Sequence, residues 1–233
     1  VAIDQGTTSS RAILFSLSGK NIYSSQKEFK QYFPKDGWVE HNPNEIWNTT
    51  KKVLIDVINK SKRLKGKILT IGITNQRETT ILWNKKTGKP VYNAIVWQDR
   101  RTAEFCKKFK TNKKEKFINR RTGLLIDPYF SATKIKWILD NVVTAKRLLR
   151  NNNLLFGTID TFLLWKLTKG KIHATDATNA SRTMLFNISR NKWDKDILKI
   201  LNIPKNILPT VKDSSDDFGV TDKSITGTSY PIK

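Results

Sequence analysis

The order of strands and helices in the first third of the chain most strongly constrains its fold. Three strand-like runs come first, over residues 1–4, 11–17 and 21–30, and the turns between them are short. Short turns between alternating or apolar runs indicate an antiparallel meander. We therefore expect the fold to begin with three antiparallel strands.

A helix and a buried strand are predicted to follow the meander. Asn42 is a favourable N-cap, Pro43 suits the first helical position, and Glu45 stands where a capping box would place it. These signals predict a helix over 43–60, and the apolar run 68–74 predicts a buried strand. The order β-β-β-α-β indicates an α/β fold. It is also the order that opens a ribonuclease-H-like domain.

The remainder of the chain is predicted to be mostly helical. Helices are expected over 101–110, 115–121, 133–141, 143–150, 157–167 and 193–201, with one strand over 154–156. Residues 175–182, rich in hydroxyl and asparagine side chains, are predicted to form a loop.

The turn between the first two predicted strands carries many polar groups. Gly6 is followed by four hydroxyl residues and then by Arg11. The four are Thr7, Thr8, Ser9 and Ser10. Glycine lets a ligand approach the backbone, hydroxyls and amides donate hydrogen bonds, and arginine adds charge. Such a hairpin tip suits a polyphosphate, with Asp4 able to hold a hydrated Mg²⁺. An ordinary polar turn is the alternative.

A second polar group follows the predicted buried strand, where α/β folds usually meet their ligands. Arg77 and Glu78 stand there. A carboxylate can accept hydrogen bonds from two neighbouring hydroxyls while a guanidinium donates to a third. Trp97 and Tyr129 can supply aromatic faces for the C–H groups of a small polyol. By spacing alone, a surface ion pair and two core aromatics are the alternative.

The charge of the chain raises the question of an anionic partner. Lysine and arginine number 43 against 20 acidic residues, a formal net charge of +23. Strongly basic chains often bind nucleic acid or anionic membranes. Here lysine accompanies abundant asparagine and isoleucine, as expected from an AT-rich genome. We therefore favour codon bias over nucleic-acid binding, and expect the charge to attract anionic substrates such as ATP.

The numbers of cysteine and histidine residues indicate the cellular compartment and limit the kinds of metal site that the chain can form. Cys106 is the one cysteine, so the chain forms no internal disulfide, which fits a reducing cytosol and predicts a cytoplasmic protein. One cysteine and two histidines cannot make a standard zinc site. No apolar run approaches the length of a transmembrane helix.

Several longer motifs carry a resemblance to a known family. They are DQGTTSSRA, PKDGWVEHNPNEIW, IGITNQRETTILW, YNAIVWQDRR, RTGLLIDPYFSATKIKWIL, LLFGTIDTFLLWKLT and DATNASRTMLFNI. In this order they resemble the N-terminal domain of the FGGY carbohydrate kinases, over residues 1 to about 217. NQRETT together with VWQDRR resembles the members that act on glycerol rather than on pentuloses.

The resemblance implies a fold, an activity and a set of site residues. The fold is two ribonuclease-H-like domains of the actin/hexokinase ATPase type, of which residues 1–233 would be the first, incomplete at both ends. The activity is ATP- and Mg²⁺-dependent phosphorylation of glycerol to sn-glycerol 3-phosphate, by a protein expected to be a homo-oligomer. Glycerol-contacting positions fall on Arg77, Glu78, Trp97 and Tyr129. The loop that meets the ATP phosphates falls on Thr7, Thr8, Ser9 and Arg11, with Asp4 near the magnesium.

The family's proton-accepting aspartate corresponds to a position after residue 233, so we expect these residues alone to turn over poorly or not at all. Three alternatives stay open. One is a kinase of another small polyol or ketose in the same family, and the second is a basic nucleic-acid-binding protein. The third is an actin-like structural or regulatory ATPase. We expect no membrane partner and no specific nucleic acid.

Overall fold

The computed structural model describes residues Val1–Lys233 and contains thirteen strands, many of them short. The strands are β1 (Ala2–Gln5), β2 (Ser9–Phe15), β3 (Asn21–Glu28), β4 (Gln31–Tyr32), β5 (Glu40–His41), β6 (Gly72–Asn75), β7 (Ile81–Asn84), β8 (Ala94–Ile95), β9 (Leu154–Gly157), β10 (Ala174–Asp176), β11 (Phe186–Asn187), β12 (Lys192–Trp193) and β13 (Thr210–Lys212).

The central sheet has the strand order β3-β2-β1-β6. β2 is antiparallel to both β1 and β3, and β6 joins the other edge of β1 in parallel. The turn between β2 and β3 passes through Gly19 at φ +81°, a conformation that favours glycine. The expected meander is confirmed, and so is the order in which a helix and then a strand follow it. The parallel pairing places the end of β6 beside the end of β1, with Asn75 opposite Gln5.

Nine helices connect and cover the strands. They are α1 (Pro43–Arg63), α2 (Ala103–Phe109), α3 (Asn112–Thr122), α4 (Ser131–Asn141), α5 (Val143–Arg150), α6 (Ile159–Leu167), α7 (Ala177–Ser181), α8 (Lys195–Leu201) and α9 (Lys223–Thr226). Not one of these helices is long and apolar enough to cross a membrane.

Helix α1 begins at the predicted N-cap. The side chain of Asn42 accepts the Asn44 N–H at 2.9 Å. Glu45 does not complete the expected capping box, because its carboxylate accepts the hydroxyl of Tyr32 and the N–H of Lys30 instead. The glutamate thereby ties the start of α1 to the segment that contains β4.

Apolar side chains on one face of α1 pack against the central sheet. Val53 and Val57 join Ala12 and Leu14 of β2 in one buried cluster. Leu54 and Ile58 belong to a second cluster with Ile3 of β1, Leu164 of α6 and Ile232. Burying a side chain of this size contributes about 1.5–3 kcal/mol. The sheet and α1 thus form a firm base for the loops at the ends of β1 and β6.

A larger apolar core of 25 buried residues lies among the helices of the second half. It includes Phe156 of β9, which pairs antiparallel with β7, and Ile135 and Ile138 of α4. The core brings the start of α4 and the chain around α7 to the same region as the end of β6. A hydrogen bond from the Ala132 N–H to the Thr183 carbonyl holds the two segments together.

Two local predictions are wrong. Residues 175–182 are not a loop, because β10 pairs with β13 and Asp176 caps α7 by accepting the Asn179 N–H at 2.8 Å. The strand predicted over 68–74 is shorter and less buried than expected, since β6 starts at Gly72 and Leu69 is 53% exposed.

Candidate functional site

The tip of the β1–β2 hairpin is closed by a backbone hydrogen bond from the Gly6 N–H to the Ser9 carbonyl at 2.9 Å. Thr7 is half-buried, Thr8 is exposed, and Ser9 is half-buried. Ser10 does not lie on the exposed face of the tip. It is buried, and its hydroxyl bonds to Thr49 and Thr50 of α1. Three of the four predicted hydroxyl residues therefore remain candidates for binding phosphate.

Asp4 and Arg11 lie opposite each other in the β1–β2 register. The Arg11 guanidinium contacts the Asp4 carboxylate at 2.5 Å, with side-chain exposures of 45% and 36%. An exposed pair of this kind is held weakly, typically by about 0.2–1 kcal/mol. Both groups can therefore exchange their mutual contact for a phosphate or a hydrated cation at low cost.

A buried polar network lies behind the hairpin tip. Gln31 donates through Nε2 to the Thr7 carbonyl at 3.0 Å, and its Oε1 lies 2.5 Å from His41 Nε2. His41 Nε2 must therefore carry the proton, and its Nδ1 accepts from Gln76 Nε2 at 3.3 Å. Gln76 Nε2 also reaches the Gly6 carbonyl at 3.1 Å. Burial lowers the pKa of His41 to about 4, so the imidazole is neutral at pH 7.

Glu78 occupies a strained turn three residues after the end of β6. The Thr79 N–H donates to the Arg77 carbonyl at 2.7 Å, which closes a γ-turn around Glu78 at φ +62°. A γ-turn with positive φ is rare and strained. The hydroxyls of Ser131 and Thr80 hold it by donating to the Glu78 carbonyl at 3.0 and 3.1 Å.

The Glu78 side chain is nearly buried, with 4% exposure, and its Oε1 accepts from Arg182 Nε at 2.6 Å. The Arg182 guanidinium also lies 5.7 Å from the centre of the Tyr129 ring. Sequence analysis missed Arg182. A nearly buried carboxylate requires a cation, but nothing local indicates one 104 positions away.

Arg77 directly precedes Glu78 but differs from it in its contacts. Its side chain is exposed and makes no hydrogen bond or ion pair with the protein. Its assignment to the substrate therefore stays a prediction.

Trp97 connects the hairpin tip to the aromatic wall. Its indole Nε1 donates to the Thr7 hydroxyl at 3.1 Å, and its ring meets the Tyr129 ring edge-on with centroids 5.6 Å apart. The Trp97 N–H donates to the Thr79 hydroxyl at 3.3 Å, and that hydroxyl donates to Gln76 Oε1 at 2.9 Å. Trp97 is thus fixed at both its backbone and its indole.

A buried arginine supports the loop that carries Trp97. The Arg101 side chain is fully buried and contacts the carboxylates of Glu40 and Asp99 at 2.7 and 2.8 Å. Its guanidinium carbon lies 3.8 Å from the centre of the Trp38 ring. Paired charges stacked on an aromatic face hold a loop in one conformation.

A second buried cation lies under Tyr129. Lys134 of α4 is fully buried, and its Nζ donates to the Tyr129 carbonyl at 2.6 Å. Burial lowers the pKa of Lys134 to about 7, and the carboxylates of Asp99, Glu78 and Asp127 oppose that shift. The lysine therefore anchors the Tyr129 loop at a point surrounded by acidic groups.

Contacts within the protein link most of the predicted site residues, while the Arg77 side chain makes none. Thr7, Trp97, Tyr129 and Glu78 are linked through direct contacts or through Arg182. Asp4 and Arg11 follow from the tip along the β1–β2 ladder. No group of three or more histidine, cysteine or acidic side chains is arranged to hold a metal ion. A cation at Asp4 would depend on ligand oxygens and water for its other bonds.

Comparison with known proteins matches nearly the whole chain to one family. The model of the FGGY family of carbohydrate kinases, N-terminal domain, matches residues 1–229. Glycerol kinase from Caldanaerobacter subterraneus subsp. tengcongensis is 59% identical over 232 residues, covering 100% of this chain and 47% of that protein. Glycerol kinase from Petrotoga mobilis is 56% identical over the same span, with the same coverage.

Among solved structures, Plasmodium falciparum glycerol kinase with ADP superimposes with a TM-score of 0.94 at 36% identity. The match covers 99% of this chain and 46% of that structure. The expected α/β fold of the actin/hexokinase ATPase type is confirmed. The chain spans about half the length of the relatives that it matches.

Proposed function

Because the chain belongs to the FGGY family of carbohydrate kinases, we propose that the whole protein transfers the γ-phosphate of ATP to a terminal hydroxyl of glycerol, forming sn-glycerol 3-phosphate. The observation that carries this proposal is the bond from Trp97 Nε1 to the Thr7 hydroxyl at 3.1 Å. It joins an aromatic wall suited to a polyol to a hairpin tip suited to phosphates. The similarity to glycerol kinases supports glycerol as the polyol.

Recognition of the polyol is assigned to a polar side and an apolar side. Glu78 accepts hydrogen bonds from substrate hydroxyls through Oε2, which has no protein donor, and Arg77 donates to another oxygen. Trp97 and Tyr129 cover the C–H face of the substrate.

The hairpin tip is assigned to the phosphates. The hydroxyls of Thr7, Thr8 and Ser9 and the backbone N–H groups around them donate to phosphate oxygens, while Arg11 adds positive charge. Phosphoryl transfer requires positioning and charge neutralisation more than covalent help from the protein.

A magnesium ion fits the hairpin through a single carboxylate. The Asp4 side chain is 36% exposed, and Mg²⁺ usually keeps several waters and takes one or two carboxylates together with substrate phosphates. When bound, the ion neutralises charge on the phosphate oxygens. Asp4 would hold the ion through its carboxylate, and Arg11 would supply positive charge to the phosphates.

The proton acceptor for the attacking hydroxyl is assigned to the part of the protein outside these residues. Glu78 accepts a hydrogen bond from Arg182 and is committed to binding. If a second domain supplies the proton acceptor, the residues described here form the part of the protein that binds the substrates. A general base typically contributes about 10²- to 10⁴-fold to the rate.

The test is a substrate panel with the whole protein and Mg·ATP. Glycerol, dihydroxyacetone, xylulose and ribulose are compared by kcat/KM, and we expect glycerol to be preferred. Glu78→Gln is expected to lower kcat/KM for glycerol by about 100-fold or more, because misplaced reacting groups lose that much. Glu104→Gln, at an exposed position on α2, is the matched control. Preference for a pentulose, or full activity of Glu78→Gln, would contradict the proposal.

A further inference from the structure

The ion pair between Glu78 and Arg182 is more than a chance surface contact. Glu78 is 4% exposed and Arg182 32% exposed, so the carboxylate meets its partner largely away from water. An unpaired charge at such a position is expensive, and the pair is therefore maintained. The guanidinium fixes one oxygen, Oε1, and leaves Oε2 without a protein donor.

The backbone that carries Arg182 is fastened to the backbone that carries Glu78. Arg182 follows α7, and its N–H donates to the Asn179 carbonyl at 3.1 Å. Asn179 Oδ1 accepts from Asn75 Nδ2 at 3.0 Å, at the end of β6 just before Glu78. Helix α7 is therefore hydrogen-bonded to the same strand end from which the Glu78 turn departs.

A second tie approaches from α4. Ser131, the first residue of α4, donates to the Glu78 carbonyl, while the next residue, Ala132, donates its N–H to the Thr183 carbonyl at 2.9 Å. Thr183 immediately follows Arg182. One end of α4 thus holds both partners of the ion pair through adjacent residues.

The guanidinium is also set against the aromatic side of the site. Its carbon lies 5.1 Å from the Phe130 ring centre and 5.7 Å from that of Tyr129. Cation–π contacts of this kind restrict the guanidinium plane. Since Nε is directed to Glu78, the carboxylate is held at a defined orientation relative to the Tyr129 ring.

We propose that Arg182 is a positioning residue for the polyol site. It orients the Glu78 carboxylate so that Oε2 faces the substrate beside Tyr129, and it acts on the substrate only through Glu78. This inference rests on the proposed function, since it names the residue that makes Glu78 competent to bind a polyol. It predicts that Arg182 governs glycerol recognition and leaves ATP recognition unchanged.

The experiment is a double-mutant cycle in the whole protein, with glycerol and ATP kinetics measured separately. Arg182→Gln is expected to raise the KM for glycerol by about 10- to 100-fold, with the KM for ATP unchanged. In a Glu78→Gln background the same substitution is expected to change the KM for glycerol less than twofold. Arg182→Lys, which keeps the charge but not the planar donor set, should fall between wild type and Arg182→Gln.

Arg190→Gln is the matched control, because Arg190 is exposed and its side chain makes no hydrogen bond or ion pair. Equal effects of Arg182→Gln in the wild-type and Glu78→Gln backgrounds would overturn the inference, since they would show direct contact with substrate or a general structural effect. An equal rise in both KM values would also overturn it. If Arg182→Gln fails to fold, Arg182→Lys is carried through the same cycle. Glycerol turnover by the unmodified protein tests the proposed function independently of these comparisons.

Discussion

The neutral His41 in the network behind the hairpin predicts a specific loss of stability in acid. Its pKa lies at about 4 in the folded chain because of burial, against 6.5 for an ordinary histidine. The unfolded chain therefore binds a proton between about pH 6.5 and 4 that the folded chain excludes. Stability falls as the pH falls through this window and stops falling below it.

The size of the stability loss follows from the pH interval over which the unfolded chain takes up the proton and the folded chain does not. Between pH 7 and pH 5 the unfolded histidine becomes protonated while folded His41 stays mostly neutral. At about 1.36 kcal/mol per pKa unit, His41 removes about 2 kcal/mol from the free energy of unfolding. With a urea m-value of about 3 kcal/mol per molar, this corresponds to a shift of roughly 0.7 M in the unfolding midpoint.

The measurement compares urea unfolding of wild type and His41→Gln at pH 7, 6 and 5. The midpoint of the wild type should fall by roughly 0.7 M more than that of the variant over this range. His173, whose pKa burial also lowers to about 4, titrates in both proteins and cancels in the difference. Identical pH dependence in the two proteins would refute the reasoning.

Two further predictions concern the scaffold. Arg101→Met should lower the free energy of unfolding by about 3–5 kcal/mol, because it leaves the buried carboxylates of Glu40 and Asp99 unpaired; urea midpoints measure it, and a loss below 1 kcal/mol would contradict the assigned role. Gly157→Ala should cost about 1–3 kcal/mol, because the new Cβ would lie 2.6 Å from the Thr161 Cβ. Gly72→Ala, whose Cβ meets nothing closer than 3.9 Å, is the control for that variant, and equal losses in the two would contradict the packing argument.

Much of the fold was predictable because its determinants are local. The meander follows from short turns, and α1 follows from Asn42 and Pro43 at its start. The inward position of Ser10 was equally predictable. Strand side chains alternate between faces, and Ser10 shares its face with Ala12 and Leu14, both buried. A hydroxyl next to the tip is therefore not necessarily part of the tip.

Other features depend on contacts that no local pattern encodes. The pairing of Glu78 with Arg182 joins two loops that are far apart in sequence, and the bond from Ala132 of α4 to Thr183, after α7, helps to bring them together. The prediction of a loop over residues 175–182 was wrong for another reason. Threonine and asparagine disfavour helices, but Asp176 caps the short helix α7, whose neighbours hold it in place.

Side-chain donors bound to backbone carbonyls fix the loops of the candidate site. The carbonyl of Thr7 accepts from Gln31, that of Glu78 from Ser131, and that of Tyr129 from Lys134. Loops lack the regular hydrogen bonds of helices and strands, so a loop carbonyl that is shielded from water needs a donor from another part of the chain. In all three loops this donor lies in a neighbouring element, and the Glu78 carbonyl has a second donor, Thr80, within its own loop.

This arrangement suits a reaction that depends on placement. If the polyol and phosphate sites meet at Trp97 and Thr7, a displacement of either loop changes the distance between the reacting groups. A displacement of 1 Å can reduce the rate by about 100-fold. Hydrogen bonds from neighbouring elements to the loop carbonyls limit such displacement, although the donor side chains do not themselves touch the substrate. The residues that matter for the rate therefore extend beyond those that line the site, and Arg182, Lys134 and His41 are the ones to which the hydrogen bonds lead.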